Sequence, residues 1–75
     1  MKLTKEQLKE VIEKSLENNK KYPRWRVGQS FFNTLWDMHP DIANEINSTE
    51  YDPFYDTGRM TSCIEFITEE QKNEI

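Results

Sequence analysis

Residues 24–38 read RWRVGQSFFNTLWDM, and this stretch decides the fold. Apolar and aromatic side chains recur in it at intervals of three and four residues, which is the repeat of an α-helix. On a helical wheel they cover nearly half of the circumference. The polar side chains fill the remaining arc: Arg26, Gln29, Ser30, Asn33, Thr34 and Asp37. A face this wide is typical of a helix with two neighbours, so we expect residues 24–38 to form the central helix.

Gly28 falls inside the apolar face of this helix. A glycine costs a helix roughly 1 kcal/mol relative to alanine. Its missing side chain lets another backbone approach closely, and we expect such an approach here.

The stretch before the central helix predicts a helix over residues 4–19. Thr4 and Gln7 have the spacing of a capping box, and apolar residues then recur on one face at Leu8, Val11, Ile12 and Leu16. The pair Asn18-Asn19 and then Pro23 end the helix.

Two further helices are predicted after residue 38. Pro40 favours a helix start, which gives a short helix over residues 40–47, and Asp56 or Thr57 can cap a last helix over residues 57–70. The polar tail Glu69–Ile75 is expected to fray. No alternating β pattern occurs in the sequence. We therefore predict an all-α fold, a small four-helix domain that comprises residues 1–75.

Composition limits the class of protein. The chain has 75 residues, of which 35% are hydrophobic and nine are aromatic, which suits one small folded domain and argues against disorder. Its single cysteine excludes an internal disulfide and favours a reducing compartment. Neither a signal peptide nor a membrane-length apolar run is present. We expect a cytoplasmic protein.

Charge is distributed unevenly along the chain. Residues 1–30 contain eight basic and four acidic residues, whereas residues 31–75 contain two basic and ten acidic residues. Two interpretations remain open: the halves screen each other in the fold, or they form a bipolar surface that steers a charged partner.

Signatures of catalysis and of metal binding are nearly absent. His39 and Cys63 are single residues of their kinds, and Cys63 lies in an apolar stripe where a cysteine behaves as a small buried hydrophobe. The acids around Asp52 do not have the spacing of a calcium loop. We therefore expect no enzymatic activity, no cofactor and no metal.

The segment 50–56, EYDPFYD, is the strongest candidate for a binding surface. It places three aromatic residues within a loop and flanks them with acids, and large aromatic residues are frequent in interface hot spots. The alternative is a lid, in which Phe54 and one tyrosine fold back over the core. The expected partner-binding residues are Glu50, Tyr51, Asp52, Tyr55 and Asp56, with Glu45 at the rim.

The segment 20–26, KKYPRWR, suggests a different class of function. Bases interleaved with aromatic residues bind nucleotides and single strands, because cations meet phosphates and rings stack on bases. The candidate ligand-binding residues are Lys21, Arg24, Trp25, Arg26 and Arg59. The acidic balance of the whole chain counts against nucleic acid, since domains that bind it are typically basic.

A third possibility is a structural homodimer. An exposed Trp36 or Trp25 would provide a self-complementary apolar patch for a domain with a thin core. The sequence leaves open whether Gln29, Asn33 and Arg59 form a buried network or an open site.

Three strings in residues 24–67 resemble a group of small phage and bacterial proteins. They are Arg26-x-Gly28-Gln29-x-Phe31-Phe32-Asn33-x-Leu35, then Pro40-x-x-Ala43-x-x-Ile46, then Thr49-x-x-Asp52-Pro53-Phe54-Tyr55 with Arg59. The resemblance brings no activity, ligand or site residue with it. It implies a short accessory protein that binds and inhibits or modulates a host protein, such as a component of a defence system. If a phage encodes the chain, the resemblance implies a location in the host cytoplasm.

Overall fold

The computed structural model describes residues 2–68 and confirms the all-α fold. It contains α1 (Lys5–Lys21), α2 (Val27–Met38), α3 (Pro40–Ile46), a 3-10 helix (Thr57–Arg59) and α4 (Met60–Ile67). Among these residues the single β contact is an isolated parallel bridge between Leu3 and Thr68. The tail Glu69–Ile75, for which fraying was predicted, lies outside the described residues.

The N-terminus of α1 forms as its sequence predicts. Thr4 Oγ1 accepts a hydrogen bond from the Gln7 backbone N–H at 3.1 Å, and Gln7 Oε1 accepts one from the Thr4 N–H at 2.9 Å. The residue before this cap is anchored as well, because buried Leu3 donates its N–H to the Ile67 carbonyl at 2.7 Å. The start of the chain is thus tied to the end of α4.

The first helix continues two residues beyond the predicted end at residue 19. Asn18 and Asn19 do not break it, because their side chains bond to other elements instead of to their own backbone. Asn18 Nδ2 donates to Thr34 Oγ1 at 2.9 Å, and Asn19 Nδ2 donates to the Trp25 carbonyl at 3.0 Å. Both asparagines therefore act as tertiary contacts.

The central helix begins at Val27, three residues later than predicted. Residues 22–25 form a turn with Pro23 in its second position, and the Trp25 N–H donates to the Tyr22 carbonyl at 3.0 Å. Proline favours this position of a turn, since its ring fixes φ. Gln29 Oε1 then accepts a hydrogen bond from the Arg26 N–H at 3.3 Å and so satisfies one free donor at the helix start.

The predicted polar arc of α2 is wrong at two positions. Ser30 and Thr34 are buried at the contact with α1, where Ser30 Oγ donates to the carbonyl of buried Ser15 at 2.8 Å. Small side chains let the two helices lie close together, whereas the larger Leu16 and Val27 remain exposed. The interface between α1 and α2 is therefore partly a layer of hydroxyl groups.

The hydrophobic core adjoins this interface. Phe31 and Leu35 of α2 are buried in one cluster with residues of every other α-helix: Val11, Ile42, Ala43, Ile46, Cys63 and Ile67. The central position predicted for α2 is confirmed, because this helix contacts α1, α3 and the 3-10 helix.

The last predicted helix, residues 57–70, is divided and shorter. Its first turn is the 3-10 helix, where Asp56 Oδ1 accepts a hydrogen bond from the Gly58 N–H at 2.9 Å. It ends at Ile67 because Thr68 is extended and forms the bridge to Leu3. No described helix has the length and apolar character that a membrane span requires.

Candidate functional site

The loop between α3 and the 3-10 helix, residues 47–56, is organised around one buried carboxylate. Asp52 is 7% exposed. Its Oδ2 accepts a hydrogen bond from the Ser48 N–H at 2.7 Å, and its Oδ1 accepts one from the Phe54 N–H at 2.9 Å. The first of these bonds fixes Ser48 at a φ of 66°, in the left-handed region that non-glycine residues rarely adopt. Asp52 is thus a structural anchor of the loop, and it does not join the exposed surface for which it was predicted.

Two arginines hold the loop from outside. Arg26 Nη2 donates to the Phe54 carbonyl at 2.9 Å, and Arg59 Nη1 donates to the Thr49 carbonyl at 3.2 Å. The Arg59 guanidinium also lies 3.7 Å from the Asp56 carboxylate, although both side chains are about half exposed. An exposed pair of this kind adds little stability, so we assign the clamping chiefly to the bonds with carbonyl groups.

The predicted close approach at Gly28 is present and involves the same loop. A Cβ atom at this position would overlap the carbonyl oxygen of Pro53 and lie 3.1 Å from the Thr57 Cα atom. The Gly28 N–H donates to Thr57 Oγ1 at 3.1 Å. The start of α2 therefore packs directly against the backbone of the loop.

The aromatic residues of the loop point in different directions. Phe54 is half-buried and meets the edge of Phe32, with ring centroids 5.9 Å apart, whereas Tyr55 is 81% exposed. The two neighbouring rings are themselves in contact, with centroids 4.7 Å apart. Phe54 therefore covers the core, as the lid interpretation predicts, whereas Tyr55 faces solvent.

Tyr51 lies between these extremes. Its ring stacks on Phe66 with centroids 4.2 Å apart, and Lys2 Nζ lies 5.0 Å from the centre of the Phe66 ring. Hydrogen bonding to the Glu50 carboxylate, together with the negative charge of that group, raises the pKa of Tyr51. Tyr51 thus offers a partner only part of its ring.

A cleft of about 250 Å³ opens beside Tyr55. The loop and the 3-10 helix line this cleft with Ser48, Thr49, Asp52, Tyr55, Asp56 and Arg59. The rim residues Glu45 and Glu50 are exposed. The exposed part of the predicted surface consists of Tyr55, Asp56 and Glu50.

The five residues predicted to bind a nucleotide do not form one site. Arg26 and Arg59 hold the loop, whereas Lys21 and Trp25 line a separate groove between α1 and α2. Arg24 is exposed in the turn and lines no described cavity that contains the others. The spacing of an arginine does not identify its acceptor, so no sequence signal indicates that Arg26 and Arg59 bind loop carbonyls.

The question about Gln29, Asn33 and Arg59 has a clear answer. Gln29 bonds at the start of α2, Arg59 holds the loop, and Asn33 lies in the groove between α1 and α2. They form neither one buried network nor one site.

The thiol of Cys63 is fully buried. Burial, and secondarily the charge of Asp52, raises its pKa to about 12. The thiol is therefore protonated at neutral pH, a state in which cysteine is a poor nucleophile. Between residues 2 and 68, no group of three or more His, Cys, Asp or Glu side chains could hold a metal ion.

Comparison with known proteins adds no function to this geometry. The chain matches no family model, no curated protein and no solved structure.

Proposed function

We propose that this chain is a non-enzymatic interaction protein that docks on a partner protein through Tyr55 and the acidic rim around it. The observation that supports the proposal is the exposure of Tyr55, 81%, on a loop whose backbone is held on both sides. The bonds to the carbonyls of Thr49 and Phe54 and to the carboxylate of Asp52 provide this hold.

A loop of this kind suits binding for an energetic reason. Ordering a mobile side chain at an interface costs about 0.5–1.5 kcal/mol, and ordering a flexible backbone costs more. The loop 47–56 is already ordered in the free protein, so a partner that covers Tyr55 meets little of this cost. Tyrosine also presents a large ring with few rotatable bonds, which is one reason for its frequency in hot spots.

The partner we propose has a basic surface. Asp56 follows Tyr55 directly and is exposed, and Glu50 and Glu45 are exposed as well. The positive charge of Arg59 partly offsets that of Asp56, but the Asp56 side chain remains 60% exposed. Complementary charge would raise the association rate and select partners, more than it would raise affinity.

The resemblance to small phage and bacterial proteins supports a host protein as this partner. In that proposal the chain binds and inhibits or modulates a host factor, and a component of a defence system is one such factor. Fold alone does not decide between partners of this kind, because function belongs to the surface and not to the architecture.

The test compares two exposed tyrosines. Immobilised wild-type protein, Tyr55→Ala and Tyr22→Ala are used to capture proteins from bacterial lysate, and a captured protein is then titrated against each variant by calorimetry. Tyr22 is 49% exposed and lies in the turn before α2, which makes it the matched control. We expect Tyr55→Ala to weaken binding by about 2 kcal/mol, and Tyr22→Ala to leave it unchanged.

Equal affinity of Tyr55→Ala and wild type for the captured protein would refute the proposed surface. Sedimentation of the free chain tests the homodimer: a particle of 9.1 kDa at high concentration would exclude it.

A further inference from the structure

A second surface lies between α1 and α2, and the proposed docking surface shares no residue with it. It is a polar groove of about 430 Å³. Lys14, Asn18 and Lys21 line it from α1, where spacings of four and three residues place them on one face. Asn33 and Asp37 line it from α2 with a spacing of four. Its volume falls in the range of about 300–1,000 Å³ that is typical of small-molecule sites.

An aromatic pair closes one part of this groove. The rings of Tyr22 and Trp25 are stacked, with centroids 4.5 Å apart and planes 20° from parallel. The hydrogen bonds from the Trp25 N–H to Tyr22 and from Asn19 to the Trp25 carbonyl fix the turn that carries them. The pair is therefore a preformed platform on which a third flat ring can stack.

Several polar side chains that line the groove have no partner among the described residues. Across residues 2–68, no hydrogen bond or ion pair joins the side chains of Lys21, Asn33 or Asp37 to another residue. Lys14 lies 3.5 Å from Glu17, but both are well exposed and such pairs are weak. The groove thus offers two cations, a carboxylate and an amide to a ligand.

We propose that this groove binds a nucleoside phosphate. The base extends the stack of Tyr22 and Trp25, and the phosphate meets Lys21 with the help of Lys14. Asn33 and Asp37 are suited to the edge of the base, because an amide both donates and accepts while a carboxylate accepts from ring and amino N–H groups. Asp37 also opposes an anion close to it, so the phosphate is expected at Lys21 and not beside Asp37.

Calorimetry with adenosine and guanosine monophosphates and triphosphates tests the site, with inorganic phosphate and tripolyphosphate as probes of charge alone. We expect nucleotides to bind and the inorganic anions to bind much more weakly. Trp25→Ala should weaken nucleotide binding by about tenfold, since stacking on an aromatic ring contributes on this scale. Trp25→Phe keeps a flat ring and should retain most of the affinity.

Lysine variants distinguish specific binding in the groove from general electrostatic attraction of the nucleotide. Lys21→Ala should weaken binding and reduce its dependence on salt, whereas Lys20→Ala, an exposed neighbour that does not line the groove, should change neither. Circular dichroism checks the helix content of each variant. If Trp25→Ala loses its fold, Trp25→Phe and the two lysine variants still decide the question.

Three results would overturn the proposal: no nucleotide binds, tripolyphosphate binds as tightly as a nucleoside triphosphate, or Lys20→Ala and Lys21→Ala weaken binding equally. None of them bears on the docking surface, for which Tyr55→Ala remains the deciding variant and serves here as the control expected to bind nucleotide normally.

Discussion

Two connections between helices carry exposed tyrosines, Tyr22 and Tyr55, and the two connections are held in different ways. The turn 22–25 is short, and it is held by the hydrogen bonds from the Trp25 N–H to Tyr22 and from Asn19 to the Trp25 carbonyl, together with the stack of Tyr22 on Trp25. The loop 47–56 is long, and groups outside it support it: Arg26 and Gly28 at the start of α2, and Arg59 of the 3-10 helix. The turn is therefore a local structure, whereas the loop depends on the tertiary fold. Variants that remove a support should cost more in the loop than in the turn.

Gly28→Ala should have the largest effect. The new methyl group would overlap the Pro53 carbonyl, a backbone atom that cannot move without displacing the loop. We expect the free energy of unfolding to fall by at least about 2 kcal/mol, despite the gain in helix propensity of roughly 1 kcal/mol. Chemical denaturation measures it.

Gly58→Ala is the matched control for this variant. A Cβ atom there would lie 3.0 Å from Asp56 Oδ1, which belongs to an exposed side chain that can move. We expect a change of less than about 1 kcal/mol. Equal losses in the two variants would show that the loop does not rest on the start of α2.

Asp52→Ala tests the anchor inside the loop. The variant leaves the N–H groups of Ser48 and Phe54 without their carboxylate acceptor, and a hydrogen bond to a charged group contributes about 1.5–3 kcal/mol. We expect a loss of about 2–3 kcal/mol in thermal or chemical denaturation. Asp56→Ala, which removes one exposed cap, should cost only about 0.5–1 kcal/mol. A larger loss for Asp56→Ala than for Asp52→Ala would contradict the anchoring role.

The pH dependence of stability should reveal the thiol near the loop anchor. The pKa of Cys63 is raised to about 12 by burial and by the charge of Asp52. The unfolded chain therefore releases the thiol proton at lower pH than the folded chain, and the stabilising contribution, complete below about pH 9, is lost as the pH rises towards 12. The loss should reach at most about 1.4 kcal/mol per pH unit.

Cys63→Ala isolates this contribution from the titration of tyrosines and lysines. Its free energy of unfolding should fall less steeply above pH 9 than that of the wild type, whatever its value at pH 7. Parallel curves for the two proteins would show that the thiol ionises as easily in the folded chain as in the unfolded one.

Asn19→Ala probes the turn, where a smaller effect is expected. It removes the hydrogen bond to the Trp25 carbonyl, and a bond of this kind contributes about 1 kcal/mol. Trp25 fluorescence in a Trp36→Phe background reports on the turn separately from global unfolding. A loss as large as that of Asp52→Ala would remove the distinction between the two connections.

The contrast also explains which features could be predicted from the sequence. The helices, the capping box at Thr4 and the need for a glycine at position 28 follow from local patterns, which periodicity and spacing express directly. Periodicity predicts the start of α2 three residues too early, because Trp25 fits the apolar arc of the helix although Pro23 directs Trp25 into a turn. Asp52 bonds only to nearby residues, Ser48 and Phe54, in the manner of an Asx turn, but its burial is not visible in the spacing. The contact of Arg26 with Phe54 joins residues 28 positions apart, and no local pattern indicates it.

Ser48→Gly should give the smallest change, and it should stabilise the protein. Ser48 has a φ of 66°, which costs a residue with a side chain about 1 kcal/mol or more and costs glycine nothing. Glycine also gains more freedom in the unfolded chain, so the net gain should be about 0.5 kcal/mol. Asn47→Gly is the matched control: its φ is −55°, so the variant gains no relief and should lose about 0.5–1 kcal/mol. Opposite signs in these neighbouring variants would show that the loop stores strain at Ser48, which the carboxylate of Asp52 maintains, whereas equal signs would place the strain elsewhere.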